Sequence, residues 1–493
     1  MIVPYNRPNA MRNILFLLCS LCLFTGALGA QVLTVSEEIP MRNDTEYSLI
    51  GKLGGQVLLL QDRENKHLLT AYGRSMNESW EKELEMRGRN VRMLEAIAAQ
   101  DGTGFHLLYL FRDRGRNHLQ LDRYNPAGNL QDSVTLVDFG LFVTTPEDEI
   151  YRSDDDSKLL LLMIEQQSKA RYLGIDLDSM KLLYDRELEP EKFFYSDDFL
   201  QAEISNEGDM YFIVERDNFK SRRKKHRYEV YTHRTDGADR AMFEVDLGDS
   251  LTYDVFFRYD NLNRRLAAGG LYSTKDFIRA EGYFYLWVNP DNPREELRPR
   301  FTQFPINLVK NVEGKKFNKR RPGINELTVR EAMLRRDGGM VMITERDRQL
   351  QRRGAASQNQ LLNTYGGRPL VDYHLDEIVV FAVNPDGTAH WSNIMHKKQY
   401  SQDDNGVYSS FFLMETPSRL RFLFNDEIRF ENTVSQYVLN PRGEFDRNTL
   451  FHTRDLNLRL RFRDGIQVAA NELVLPSEHR NRLRLVKMTY EAR

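Results

Sequence analysis

Protein chemistry usually starts from clustered histidines, paired carboxylates, a poised thiol or a dense run of cations. This chain of 493 residues holds ten histidines and two cysteines. It has no His-Glu-x-x-His, no Walker loop, no Gly-x-Ser-x-Gly and no dinucleotide fingerprint, so zinc-hydrolase, P-loop, serine-esterase and Rossmann chemistry have no motif to rest on. His390 and His396 flank one expected strand, but a metal site needs a third ligand that the spacing does not supply. Both read as surface or turn residues. Acidic spots at 153–157, 206–209 and 403–406 fall in expected turns. None alternates oxygen ligands up to a glycine and closes on Glu as a calcium loop does. Asp403 and Asp404 stand beside Lys397 and Lys398 and read as a structural ion pair. No catalytic residue, metal or cofactor is assigned.

Positive charge is the stronger signal. Segment 216–227 contains Lys220, Arg222, Arg223, Lys224, Lys225 and Arg227 and is net +6. Segment 310–321 contains Lys315, Lys316, Lys319, Arg320 and Arg321 and is net +5. Segment 345–370 contains Arg346, Arg348, Arg352, Arg353 and Arg368 and is net +3. What these cations can do depends on the elements that carry them.

Residues 1–30 read as a secretory leader. Arg12 precedes an apolar run from Ile14 to Phe24, and small residues follow up to Ala30. The run is shorter than the ~18–20 residues a spanning helix needs. Leu18 and Leu21 precede the two cysteines, which disfavours a lipoprotein signal. Cleavage near Ala30 would remove Cys19 and Cys22 and leave no disulfide, thiolate or Cys-ligated metal in 31–493. That remainder is net −5, so the three basic segments stand against −19 elsewhere.

Beyond the leader, short runs of Val, Ile, Leu, Phe and Tyr alternate with Asp, Asn, Gly and Pro, which is a pattern of strands and turns. The best helical candidate, about 84–99, reads equally well as a buried strand over 91–98. One turn recurs: Tyr72-Gly-Arg-Ser75, Asn125-Pro-Ala-Gly128, Asp176-Leu-Asp-Ser179, Thr235-Asp-Gly237, Asn289-Pro-Asp-Asn292, Asn384-Pro-Asp-Gly387 and Asn440-Pro-Arg-Gly443. Successive copies lie 51 to 58 residues apart, except for one step of 95 that spans the basic insertion at about 345–370. Apolar runs precede each copy, at 56–61, 105–111, 158–164, 210–215, 265–271, 340–345 and 420–424, with a further short strand before them. The unit is four antiparallel strands, A to D, and the turn joins C to D. Such a unit repeated at about 50 residues is a β-propeller blade.

The chain is therefore expected to be all-β, with 31–493 a single propeller of four-stranded blades. Seven C–D turns are visible. The tail supplies three more strands, at 456–462, 472–475 and 483–490, and Gln31-Val-Leu-Thr-Val35 is free to supply the fourth. Eight blades closed by the N-terminal strand is the favoured count, with seven blades and an irregular tail as the alternative. The density of Arg and Asp argues against a membrane barrel. Trp391 and Trp80 follow their turns and Trp287 precedes its own; all three read as packing between blades.

In a propeller the B–C loops and D–A connections emerge on one face, and the A–B and C–D turns on the other. The first and third basic segments are B–C loops and the second is a D–A connection, so all three share a face. The opposite face receives Asp154, Asp155, Asp156, Glu207, Asp209, Asp236 and Asp386. The expected molecule is a charge-polarised disc whose field steers anionic partners.

The stretch from Asn325 onward resembles an uncharacterised family of exported proteins from Bacteroidota. The resemblance rests on Arg336-Asp-Gly-Gly339 with Glu345-Arg346, Asp376-Glu-Ile-Val379, Asn384-Pro-Asp-Gly-Thr-Ala-His-Trp391 and Lys397-Lys-Gln-Tyr-Ser-Gln-Asp-Asp-Asn-Gly-Val-Tyr-Ser-Ser410. It covers about a third of the chain and implies a propeller-like fold and export, with no activity to carry over.

The expectation is an exported, non-catalytic, monomeric propeller, periplasmic, outer-membrane-associated or extracellular. It would bind an acidic protein surface, lipopolysaccharide or an anionic glycan through the basic loops. Nucleic acid is disfavoured outside the cytoplasm. One alternative is a propeller hydrolase or lyase working in the central channel. Another is a structural part of a cell-envelope assembly. Fold does not choose among them. A channel lined by histidines and carboxylates with shifted pKa values would favour the enzyme, and an apolar lining would count against it.

Overall fold

The computed structural model describes residues 31–490 except 42–44, 64–65, 143–144, 220–224, 238–240, 276, 353–369, 427 and 429–432. The expected leader lies outside the described residues. Eight sheets of four antiparallel strands follow one another, spanning 45–84, 89–140, 147–188, 199–248, 251–303, 327–395 and 412–452, with the eighth formed by 466–490 and Gln31–Val35. They make an eight-bladed β-propeller.

Burial follows strand position. Strand B is covered on both faces by neighbouring blades, so it is apolar at nearly every residue. In Lys158–Glu165, the six residues Leu159 to Ile164 are all buried. Strand D is outermost and alternates, as in Glu78–Leu84. The apolar side chains form eight clusters, each shared by two successive blades. An open row of eight blades has seven such interfaces and a ring has eight. The closing cluster joins Val57, Leu59 and Tyr72 of blade 1 to Val474, Leu483 and Leu485 of blade 8.

Closure is made by the strand expected to make it. Gln31–Val35 pairs with Arg482–Tyr490, from Gln31 opposite Tyr490 to Val35 opposite Val486. The Leu485 N–H donates to Ser36 Oγ at 2.9 Å, which locks the register. The tail differs from expectation in one strand. Strand A of blade 8 is Ile466–Ala469, and the region 456–462 instead contains two 3₁₀ turns and one isolated bridge, Leu460 to Ser477. Leu458, Leu460 and Phe462 are buried between blades 7 and 8 without joining a sheet ladder. The region near 84–99 is a strand, Arg89–Ala98.

The recurrent turns dock the blades. Trp287 Nε1 donates to Pro385 O at 3.1 Å, and Trp391 Nε1 donates to Pro441 O at 3.2 Å. Each indole thus clips its blade to the Asn-Pro-x-Gly turn of the next. Gly443 takes φ +85°, and a Cβ there would stand 2.7 Å from the Trp391 ring. The turn needs glycine both for its left-handed backbone and for the approach of the indole.

The basic insertion is an extension of blade 6. Strands Met340–Arg352 and Leu370–Val383 continue as a paired hairpin beyond the blade, and Gln399–Gln402 adds a third strand to it. Residues 353–369 lie outside the described residues.

Candidate functional site: the carboxylate-lined channel mouth

The A strands surround the ring's centre, and their polar residues face it. At the end where the A–B turns emerge, a cavity of about 580 Å³ opens between blades 3 and 7. Its charged walls include Asp154 of blade 3, Glu203 of blade 4, Arg258 of blade 5, Glu331 of blade 6 and Glu415 of blade 7. Sequence reasoning named Asp154, as a turn carboxylate of the acidic face, and none of the other four. Tyr151, Tyr259 and Met333 add less polar wall.

Glu203 sits in Phe199–Ile204 and is 8% exposed. Arg258 Nη1 donates to its Oε1 at 2.7 Å and Gln201 Nε2 donates at 2.6 Å. The other arm of the same guanidinium lies 3.8 Å from the Glu331 carboxylate. Gln201 also receives Phe257 N–H at 3.0 Å and donates to Phe257 O at 2.9 Å, which pins strand A of blade 4 against that of blade 5. The arrangement is thus held by two blades rather than by a mobile loop.

Burial pushes the Glu203 carboxyl up to about 7, against the pull of Arg258 in the opposite direction. Burial also raises Glu415, and the charges of Glu331 and Asp154 raise it further. Asp156, in the adjoining A–B turn, is raised by burial although Arg152 opposes it. The backbone of Glu415 is fixed by the Gln467 amide of blade 8, which accepts from Glu415 N at 2.9 Å and donates to Glu415 O at 2.7 Å. On the other side Arg152 pairs with Glu95 of blade 2. A belt of charged and amide side chains therefore runs across blades 2 to 8. The lining is polar, carries carboxyl groups of raised pKa and contains no histidine.

The residues singled out for the basic face divide into three groups. Lys220, Arg222, Arg223, Lys224 and Arg353 lie outside the described residues, as does the side chain of Arg352. Arg227 and Arg346 are compensated internally. Arg227 lies 2.9 Å from Glu229, 3.1 Å from Glu244 and 3.2 Å from Asp217. Arg346 lies 3.3 Å from Glu377 and 3.8 Å from Glu313 and donates to Val312 O at 3.1 Å. Lys225, Lys315, Lys316, Lys319, Arg320 and Arg321 are exposed, and Arg348 is half-buried. The antiparallel order of every blade puts the B–C and D–A connections that carry the described cations on one face. On that face two histidines feel the cations: burial lowers His374 and Arg348 lowers it further, and burial lowers His479 with Arg459 and Arg480 adding to it. Arg480 extends the basic face to blade 8, where sequence reasoning did not look, whereas Arg482 and Arg484 pair with Glu38 at 3.3 and 2.6 Å.

One smaller expectation changes. Lys397 does not pair with Asp403 or Asp404; it is fully buried and lies 2.6 Å from Glu345. Asp403 accepts from Val371 N–H at 2.8 Å, and Asp404 accepts from Ser401 Oγ at 2.7 Å. His390 Nδ1 lies 3.0 Å from the Arg335 guanidinium. Among the described residues no group of three or more His, Cys, Asp or Glu side chains could hold a metal ion.

No protein-family model and no curated protein matches the chain. Solved structures similar to it include an oligogalacturonate lyase in complex with manganese (TM-score 0.38, 12% identity, 94% of this chain and 98% of that one). Another is the β-propeller domain of the Trilobed protease from Pyrococcus furiosus (TM-score 0.37, 8% identity, 83% and 96%). A third comes from a study of two prolyl endopeptidases (TM-score 0.34, 10% identity, 82% of this chain). This chain spans 55% of the length of that prolyl endopeptidase.

Proposed function

We propose that the protein is a propeller hydrolase or lyase that works at the carboxylate-lined mouth of its central channel. One observation carries this reading: a buried carboxyl held at about 7, Glu203, shares one guanidinium with a second carboxylate, Glu331, in an open cavity. A carboxyl that titrates near neutrality can give a proton to a leaving group or take one from a substrate carbon or from water. Glu331, 41% exposed at its side chain, is placed to supply the second carboxylate. Arg258 orients both and offers a positive charge to an oxyanion. The leader-like pattern of residues 1–30 would, if it directs export, suit an enzyme acting on envelope or extracellular material.

The test is turnover by the purified protein of chromogenic glycosides, polyuronides and peptide esters between pH 5 and pH 8. The expected result is activity in one class, reduced at least about a hundredfold in Glu203→Gln with the fold intact. Absence of turnover in every class, or an unchanged rate in Glu203→Gln, overturns the reading.

A further inference from the structure

We propose that the face opposite this cavity, centred on blades 5 and 6, docks on an anionic lipid surface. A headgroup phosphate would sit among Lys275, Arg279, Arg320 and Arg321, with Phe277 and Ile278 inserted beside it.

These four cations line a cavity of about 300 Å³ between the B–C loop of blade 5 and the connection into blade 6. Its frame is rigid. Arg279–Ala280 pairs with Ile324–Asn325, Arg279 Nε donates to Asn325 Oδ1 at 3.1 Å, and Arg279 Nη1 donates to Arg321 O at 2.8 Å. These acceptors are neutral, so the charge of Arg279 stays available. Lys275, Arg320 and Arg321 make no ion pair with any described residue and are exposed. The lining contains one carboxylate, Glu281, and Thr274 Oγ1 already donates to both its oxygens, at 3.0 and 2.8 Å.

Apolar side chains stand beside this charge. Ile278, in the lining itself, is 71% exposed, and its neighbour Phe277 is 48% exposed. Around the same face Phe219 on a B–C loop, Ile306 on a D–A connection, and Leu350 and Leu370 on the blade 6 hairpin are also exposed. They are carried by different elements: the B–C loop of blade 4, the connection into blade 6, and the blade 6 hairpin. Separate apolar tips interleaved with lysine and arginine suit a deformable layer that has phosphates at its surface and hydrocarbon beneath. An acidic protein surface would satisfy the cations but would give Ile278 and Phe277 no apolar phase to enter.

The test is co-sedimentation of the purified protein with vesicles of three parts phosphatidylcholine to one part phosphatidylglycerol, and with phosphatidylcholine alone. Binding is expected only with phosphatidylglycerol. Arg320→Gln with Arg321→Gln should weaken it about 30-fold, each charge near such a surface being worth about fivefold. Phe277→Ser with Ile278→Ser should weaken it at least about tenfold through lost apolar burial. Ile278→Trp, which leaves the face intact, should show blue-shifted emission on the vesicles. Wild-type binding by the Phe277→Ser, Ile278→Ser protein overturns the proposal, because the contact is then charge alone. Stabilisation by inorganic phosphate without vesicle binding also overturns it, because the pocket then serves a soluble anion.

Discussion

Replacing Lys397 with methionine should destabilise the ring by about 3–5 kcal/mol, the cost of leaving a buried charge with one partner fewer. Lys397 Nζ makes three contacts: 2.6 Å to Glu345 Oε1, 2.8 Å to Leu375 O and 2.8 Å to Gln399 Oε1. Both charged side chains are 0% exposed. Burial pushes the Glu345 carboxyl up, but Lys397 and Arg330 overcome it and hold the group below its ordinary value. Without Lys397, Glu345 retains Arg330 Nε at 2.8 Å and Ser410 Oγ at 2.7 Å. Lys397→Met with Glu345→Leu removes both charges and leaves Arg330 its second partner, Asp347, at 2.7 Å. The double variant should therefore recover part of the loss, with a coupling of about 1–3 kcal/mol. The assay is urea unfolding followed by the emission of Trp391, which packs against the core shared by blades 6 and 7. Hydrogen exchange of Ile343 and Val380 would localise the effect. A Lys397→Met protein within about 1 kcal/mol of wild type refutes the reasoning, and so does a double variant whose loss equals the sum of the single losses.

Three further outcomes are expected. Because burial raises Glu203 to about 7, it favours the protonated form in the folded state, so its contribution to stability is full below about pH 4.5 and lost as pH rises through 7. The stability of wild type relative to Glu203→Gln should fall over that window by on the order of 3 kcal/mol, and a flat difference in pH-resolved melting would contradict this. Deleting Gln31–Val35 removes the whole of one strand from blade 8 and should cost about 3–5 kcal/mol in backbone pairing alone, seen as a lower melting point and self-association; unchanged melting would show that the ring does not depend on closure. Gly443→Ala should cost about 2–4 kcal/mol through its left-handed φ and the Trp391 clash, with altered Trp391 emission reporting the lost clip.

Much of the fold was legible because a propeller repeats its turns. The seven recurrent turns between strands C and D marked the blades, and the unassigned strand at Gln31–Val35 marked the closure. Residues 456–462 misled because Leu458, Leu460 and Phe462 alternate as a strand would, yet they fill a gap between two blades. The extension of blade 6 read as a loop because Arg346 and Arg348 interrupt its apolar residues; in the structure Arg346 sits within the blade opposite Leu327, and Arg348 lies opposite His374 on the edge strand of the hairpin. The channel mouth was not legible. Glu203, Arg258, Glu331 and Glu415 come from four different blades and are unremarkable within each strand. They acquire a shared environment only when the ring closes, and the shift of Glu203 arises from that burial. The basic segments were visible as composition, but composition could not tell Arg320, open to solvent, from Arg346, held between two carboxylates.

Closure by Gln31–Val35 also sets an order in time. On a ribosome delivering ~5–20 residues per second, this strand precedes its partner, Arg482–Tyr490, by tens of seconds. Seven blades can form in succession while it waits, but the eighth cannot. For that interval the chain carries a loose, half-apolar strand at one end and an incomplete sheet at the other. Either could pair with a second copy instead of its own, giving head-to-tail chains of propellers. Conditions that keep nascent chains apart should therefore matter more to the yield of closed rings than conditions that stabilise any single blade.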